Sequence, residues 1–463
     1  MSAATVDRGV GSGVTSPARR LDRLVEVALF ALPSLFTSVH LVRGAGFVLD
    51  DWYYLRNGSL DGLGGVVAYG GDRPVGRLIY TVFYGVIGTH PLPMLVIMAL
   101  MAGLAAVLFG RLLTRFVGPG PATVAAVVWV VVPSHLSLEV WPAVSQAGVA
   151  QLCGLGVLLI AADADRSTRR TAAASVLTIA AIWSYESVVV VLVPAVVAVQ
   201  WLAAGQIDRR FTAMVGSSAA VAGLWTFLNW NTDREALSAV PDLSLVLPAN
   251  FGWPFSTNAA LSDALLLAAL VGIIAVLGLG IVMPEMRRRA PFGLVAAGTL
   301  VLALGTLPYV RYLYEPIGAG DRSNYLSSFG AAMVIAGLLY AVWQYRRGIA
   351  FAIGFVLLVL ALDVRWYRTG LWSTAASDGV VVAHAALDLA EPGVTVSVGP
   401  GLVITDNITP FADSSTIRGA VQFLHGSRDV DAVMVYDEAE FFELPASERL
   451  DQRKLTELDG AGR

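Results

Sequence analysis

The sequence predicts an α-helical polytopic membrane protein with about eleven transmembrane helices and a small C-terminal extracytoplasmic α/β domain. Three observations carry this. Of 463 residues, 56% are hydrophobic and 14% charged, where a soluble domain carries about 25% charged. The apolar residues fall in blocks long enough to cross a hydrocarbon core of about 30 Å. From residue 368 onward the long blocks stop and acids become frequent.

Apolar runs of helical composition fall at 24–42, 91–114, 121–138, 143–162, 171–186, 187–205, 211–230, 259–283, 291–310, 326–345 and 349–366. Every second connection is basic: Arg111 and Arg115, then Arg166 with Arg169 and Arg170, Arg209 with Arg210, Arg287 to Arg289, and Arg346 with Arg347. That alternation marks a cytoplasmic face. The expected topology has residues 1–23 as a disordered cytoplasmic tail before an uncleaved first span, 24–367 as the transmembrane domain, and 368–463 outside. The net charge of −4 says little about partners, because charge in such a chain is sorted by side. Lys454 is the only lysine, and the richness in Arg, Ala, Val and Gly suits a bacterial, GC-rich genome. The one cysteine, Cys153, sits in an apolar run; it excludes an intrachain disulfide and reads as a structural thiol.

Within 368–463, residues 380–382, 394–398 and 432–436 read as short strands, with helices at 383–390 and 416–425. No catalytic motif is recognisable there. Binding an acceptor, docking a partner and recognising carbohydrate all remain open for this domain.

The chemistry-bearing residues gather in the first outer loop, 43–90. It carries Asp50-Asp51-Trp52-Tyr53-Tyr54-Leu55, then Gly71-Asp72-Arg73-Pro74, Arg77, and His90-Pro91 before the next long span. Adjacent acids beside a bilayer face are costly unless they serve a purpose; the bland alternative is a solvated helix cap. The amphipathic stretch within 72–90 suits either a helix lying at the interface or part of a further span. Glu186, just inside an apolar run, calls for function or a structural ion pair. His40, His90 and His135 stand at outer span ends without metal-ligand spacing.

In this order and sidedness the motifs resemble the GT-C superfamily, polytopic glycosyltransferases that use polyprenyl-phosphate sugars. The matching residues are Asp50-Asp51 after the first span, His90-Pro91, Tyr185-Glu186, and Gly320-Asp321-Arg322-Ser323-Asn324-Tyr325 leading into a late helix. The resemblance covers roughly residues 20–366. It implies a GT-C-like fold and transfer of a sugar, with inversion, from a polyprenyl-phosphate donor to a hydroxyl of a glycan, lipid or protein in the cell envelope.

Such a transfer needs a base for the acceptor hydroxyl and cations for the departing phosphate. Asp50 is the expected base. Asp51 would orient the acceptor, hold an arginine or contribute to a metal site, and repulsion within the pair would raise one pKa. Arg322, then Arg73 and Arg77, are the candidates for the donor phosphate, since a guanidinium fork matches phosphate oxygens. Arg73 and Arg322 read equally well as headgroup anchors. Trp52, Tyr53 and Tyr54 would stack on sugar or wall a prenyl groove; His90, Glu186 and Tyr325 complete the substrate-binding set. No cofactor is required by the pattern. A divalent metal, Mg²⁺ or Mn²⁺, held by the acid pair with Glu186, stays open, since some GT-C branches work without one.

Three rivals compete. A transporter or flippase of lipid-linked sugars would place its charges mid-membrane on broken helices, whereas these cluster at one face. A polysaccharide polymerase or ligase would rely on Arg and His in a large outer loop. A non-catalytic partner in envelope glycan assembly would use the C-terminal domain for binding. No nucleic-acid partner is indicated.

Overall fold

The computed structural model describes residues 17–67, 72–163, 167–229, 243–283, 285, 290–309, 322–399, 402, 408, 410, 411 and 413–460. Arg166, Arg287 to Arg289, Gly320 and Asp321 lie outside the described residues, as does most of the expected N-terminal tail.

The chain begins with α1 (Pro17–Val42), α2 (Asp51–Val67) and α3 (Pro74–Tyr80), which continues as a π-helical turn over Thr81–Ile87. The membrane bundle goes on through α4 (Pro91–Val117) and α5 (Pro119–Val131), then the short α6 (Ser137–Val140) and α7 (Ser145–Ala162). Next come α8 (Thr168–Ser184), α9 (Val188–Ala204), α10 (Arg209–Leu228) and the short α11 (Val246–Phe251). The bundle closes with α12 (Ala259–Val282), α13 (Ala290–Thr306), α14 (Tyr325–Tyr345) and α15 (Arg347–Leu389). The C-terminal part adds β1 (Thr395–Val398), α16 (Ser414–His425), β2 (Asp431–Met434), α17 (Glu438–Glu443), β3 (Arg449–Leu450) and α18 (Gln452–Gly460).

Among the described residues, eight helices are long and apolar enough to cross a membrane, and three apolar helical segments are shorter: Pro74–Ile87, Pro119–Val131 and Val188–Ala204. Local chemistry sets the helix ends. Pro91 opens α4, where its missing N–H costs nothing. Asp208 and Asn258 cap α10 and α12 by accepting from Phe211 N and Leu261 N, both at 3.1 Å. In α13 and α14 the backbones meet closely: a Cβ on Gly330 would stand 2.4 Å from Gly298 O. Only glycine permits that approach, the usual device of helix pairs in lipid.

Two segments differ from the sequence reading. The expected span 121–138 stops at Val131, and Pro133 and Pro142 break the following stretch into 3₁₀ and α turns. This irregular stretch is buried throughout, which is where non-helical backbone is tolerated at membrane depth. Glu139 pairs there with Arg365 of α15, whose Nη1 also donates to Val130 O at 2.7 Å. Residues 380–382, expected as a strand, are helical: α15 runs 43 residues without interruption. That is about 64 Å at 1.5 Å per residue, roughly twice the hydrocarbon thickness. The alternation of valines there serves a helix face, with Val382 in the core and Val380 and Val381 exposed.

The other two expected strands are present as β1 and β2. With β3 they form a parallel sheet in the order β2-β1-β3. Its apolar residues do not close on themselves. Val396, Val398, Ile417, Val421 and Leu450 share one core with Phe47, Trp52, Tyr84, Met94 and Val382. The C-terminal part is thereby fused to α2, the π-helical turn and the start of α4.

Candidate active site

The acid pair is divided by its backbone. Leu49 has φ 53, the one positive φ outside glycine among the described residues, a conformation that costs a bulky residue free energy and persists only where its surroundings enforce it. Leu49 N donates to Pro410 O at 2.6 Å, so the C-terminal part helps hold this turn.

Asp51, at the start of α2, is fully buried. Its Oδ2 accepts from Val48 N at 3.0 Å; its Oδ1 accepts from Ala143 N at 2.9 Å and from the Tyr84 hydroxyl at 2.5 Å. One carboxyl thus joins the first loop, the π-helical turn and the broken stretch after α5. Burial lifts its pKa to about 7 against the pull of these three donors, with the Asp50 charge adding to the rise.

Asp50 is half-buried. Burial raises its pKa, the Arg322 guanidinium works the other way, and the Asp413 carboxylate adds to the rise. Charges from two distant segments, the start of α14 and the start of α16, thus act on Asp50. Arg322 lies over the Trp141 ring with its Cζ 5.1 Å from the centroid. The indole Nε1 of Trp141 is buried and has no hydrogen-bond partner among the described residues.

A wall of tyrosines surrounds this point. Tyr54 lies 4.4 Å from Tyr80 and 5.2 Å from Tyr84, ring centre to ring centre. The Tyr80 hydroxyl donates to Ala143 O at 2.6 Å. Tyr325, fully buried, meets Tyr185 edge-on at 5.5 Å, and its hydroxyl lies 3.0 Å from Ser187 Oγ.

The remaining sequence candidates take other places. Arg73 gives a bidentate fork to Glu186, Nε to Oε2 and Nη2 to Oε1, both 2.5 Å, and stacks over Tyr185 at 4.7 Å. Glu186 is therefore the partner of a structural pair, and that edge of Arg73 is closed to phosphate. Arg77 is half-buried one turn further along α3. Trp52, expected to stack on sugar or wall a prenyl groove, is 3% exposed and packs against Phe47, Phe411 and Phe423 at 6.1, 6.4 and 6.2 Å. Its early place in the chain disguised a contact with residues some 360 positions later, which spacing cannot reveal. Tyr53 stands edge-on to Tyr54 at 5.7 Å and under the Arg56 guanidinium at 4.7 Å. His90 is exposed at the N-cap of α4, with no side-chain capping bond, and stands apart from the buried cluster. His40 is buried with Nδ1 2.9 Å from Ser373 Oγ, and His135 stacks on Trp129 at 5.0 Å.

The metal set of the acid pair with Glu186 does not form, because Asp51 serves three donors and Glu186 is held by Arg73. No group of three or more metal-ligating side chains occurs among the described residues. Trp141, Tyr80 and Asp413 were not expected at the site. Asp413 alone left a local signal, an Asp-Ser-Ser-Thr capping box that opens α16.

No family model matches the chain, and no curated protein matches it. Among solved structures it is similar to the archaeal oligosaccharyltransferase AglB from Archaeoglobus fulgidus in complex with an inhibitory peptide and a dolichol-phosphate. The identity is 10%, the match covers 90% of this chain and 65% of that one, and the TM-score is 0.46. The same oligosaccharyltransferase in complex with Zn and sulfate matches at 12% identity over 89% and 62%, with a TM-score of 0.43. ArnT from Cupriavidus metallidurans bound to undecaprenyl phosphate matches at 15% identity over 93% and 90%, with a TM-score of 0.42. The chain spans a little under two thirds of the oligosaccharyltransferase's length.

Proposed function

We propose that this protein is a membrane glycosyltransferase that moves a sugar from a polyprenyl-phosphate donor to an acceptor hydroxyl, with Asp50 as general base and Arg322 meeting the donor phosphate. The observation that carries this reading is that Arg322 lies over Trp141, two residues before the Ala143 N–H that Asp51 accepts, with its charge reaching the half-buried Asp50, while Asp51, Arg73 and Glu186 are occupied by partners within the protein.

In the reaction, the acceptor oxygen attacks the anomeric carbon as Asp50 takes its proton. The anomeric C–O bond breaks and its electron pair leaves with the phosphate. Arg322 lies where that charge develops, with the Trp141 N–H beside it as a further donor. A single displacement of this kind inverts the anomeric centre. The raised pKa of Asp50 strengthens it as a base and makes transfer fall away as pH drops through that raised value. The site face is taken as extracytoplasmic from the alternation of arginines along the sequence.

The test is transfer by membranes carrying the wild type or Asp50→Asn, given a panel of radiolabelled polyprenyl-phosphate sugars. Loss of about 10²-fold or more is expected, the range for a positioned base. Wild-type-like transfer by Asp50→Asn would remove Asp50 from the role, and no transfer by the wild type with any donor would overturn the reading.

A further inference from the structure

The C-terminal part does more than brace the first loop. We propose that Asp413 and Tyr436 form the acceptor side of the site at Asp50, and that the acceptor is a carbohydrate. This rests on the reading of the site as a glycosyltransferase centre and names its second substrate class.

The argument starts from the sheet. In an open parallel sheet the loops at the carboxyl ends of the strands, with the adjoining helix N-termini, form the concave edge where ligands bind. Here that edge is made by the turn after β2 and the start of α16, stapled together by Ser414: its Oγ accepts from Met434 N at 3.0 Å and donates to Met434 O at 3.4 Å. Tyr436 follows β2 and Asp413 precedes α16, so both belong to this edge.

The same edge is held against the first loop. Leu49 N bonds to Pro410 O, Phe411 packs on Trp52, and Gly419 lets α16 approach so closely that a Cβ there would stand 2.9 Å from Trp52 O. Asp413 stands three residues after Pro410 and next to Ser414, so it belongs to this seam, and its charge adds to the burial that raises the pKa of Asp50 and of Tyr436.

The Asp413 carboxylate is half used. Oδ1 accepts from Thr416 N at 3.0 Å and from Ser415 Oγ at 2.6 Å, which fixes its direction. Among the described residues Oδ2 takes no hydrogen bond, and the residue is exposed. Tyr436 is 63% exposed, and its hydroxyl donates to Met434 Sδ at 3.8 Å. An oriented carboxylate beside an exposed aromatic ring suits a sugar, which offers vicinal hydroxyls on its edge and an apolar C–H face. One hydroxyl would bond to Asp413 while its neighbour is presented to Asp50.

The experiment uses the full-length protein, the donor found active for it, and three acceptor probes: octyl glycosides of hexoses and pentoses, a peptide rich in Ser and Thr, and a long-chain alkyl alcohol. Asp413→Asn keeps the helix cap, because Asn caps as well as Asp, and Tyr436→Ala alters an exposed side chain. The wild type is expected to glycosylate an octyl glycoside in preference to the other probes. Each variant is expected to raise the KM for that glycoside about tenfold, the loss of one charge-assisted hydrogen bond or stacking contact, with kcat within about threefold of wild type. Unchanged KM in both variants overturns the assignment of these residues, and transfer to the peptide or the alcohol alone, or to no glycoside, overturns the carbohydrate class. Asp50→Asn is run in parallel. Its loss of turnover alongside an unchanged KM in the other two variants overturns this inference alone, its retention of turnover removes Asp50 from the base's role, and no turnover by the wild type with any donor overturns the function itself.

Discussion

Trp52→Ala separates two roles for the tryptophan that follows the acid pair. As a sugar-stacking residue its loss would weaken substrate binding and leave the fold intact. As a clamp, the role its packing supports, its loss should release the C-terminal part. The side chain is 3% exposed and lies among Phe47, Phe411 and Phe423. Truncating such a residue costs about 3–5 kcal/mol, a large share of the roughly 5–15 kcal/mol that holds a domain folded. The shared core places that cost on the seam between the first loop and the sheet, so α16 and the strands should open before the membrane bundle does. The assay is limited proteolysis against temperature in detergent micelles, read by the appearance of a fragment cut beyond Leu389. Trp52→Ala should yield it several degrees below wild type, and Trp52→Phe should fall between. Wild-type protection in Trp52→Ala, together with weaker donor or acceptor binding, would refute the clamp.

Gly419→Ala should act on the same seam from the other side. Its Cβ would meet Trp52 O at 2.9 Å and Tyr53 Cα at 3.0 Å, both backbone, and overpacking of this kind costs about 1–3 kcal/mol, read in the same proteolysis assay. Asp51 should make stability depend on pH. Its folded value, about 7, lies above the unfolded carboxyl's, so its contribution is complete below roughly pH 4 and lost as pH rises through about 7. The wild-type melting temperature should fall across that window, and Asp51→Asn should flatten that slope. For Glu139 and Arg365, removing either partner alone should cost about 3–5 kcal/mol, whereas Glu139→Leu combined with Arg365→Met should recover much of it. Additive losses in that double-mutant cycle would show that the two side chains are not coupled.

The membrane class and most spans were legible because hydropathy and length alone decide them. The prolines at 133 and 142 also stood in the sequence, but hydropathy averaged over them and hid the broken stretch. Asp50 was legible as a candidate through its neighbours. The division of labour with Asp51 was not, since it depends on a turn at Leu49 and on Ala143 N, 92 residues away. Glu186 showed its need for a partner, and Arg73 was among the residues noted, yet only the fold joins them. The seam between the sheet and the first loop was hidden for a similar reason: the sheet's core residues pack with Trp52 and Phe47, so no local pattern in 395–450 announces it.

The unbroken α15 has a mechanical consequence. A helix crossing from the bilayer into the sheet without a proline or a kink has no hinge, so the sheet cannot swing away from the first loop as a lid would. Asp50 and Asp413, on the two sides of that seam, keep one relative position, like the jaws of a gauge locked on one rod. In the proposed transfer, the substrates would then have to be brought to a fixed point rather than enclosed by a moving domain. A bilayer of different thickness would tilt the rod and carry both jaws with it.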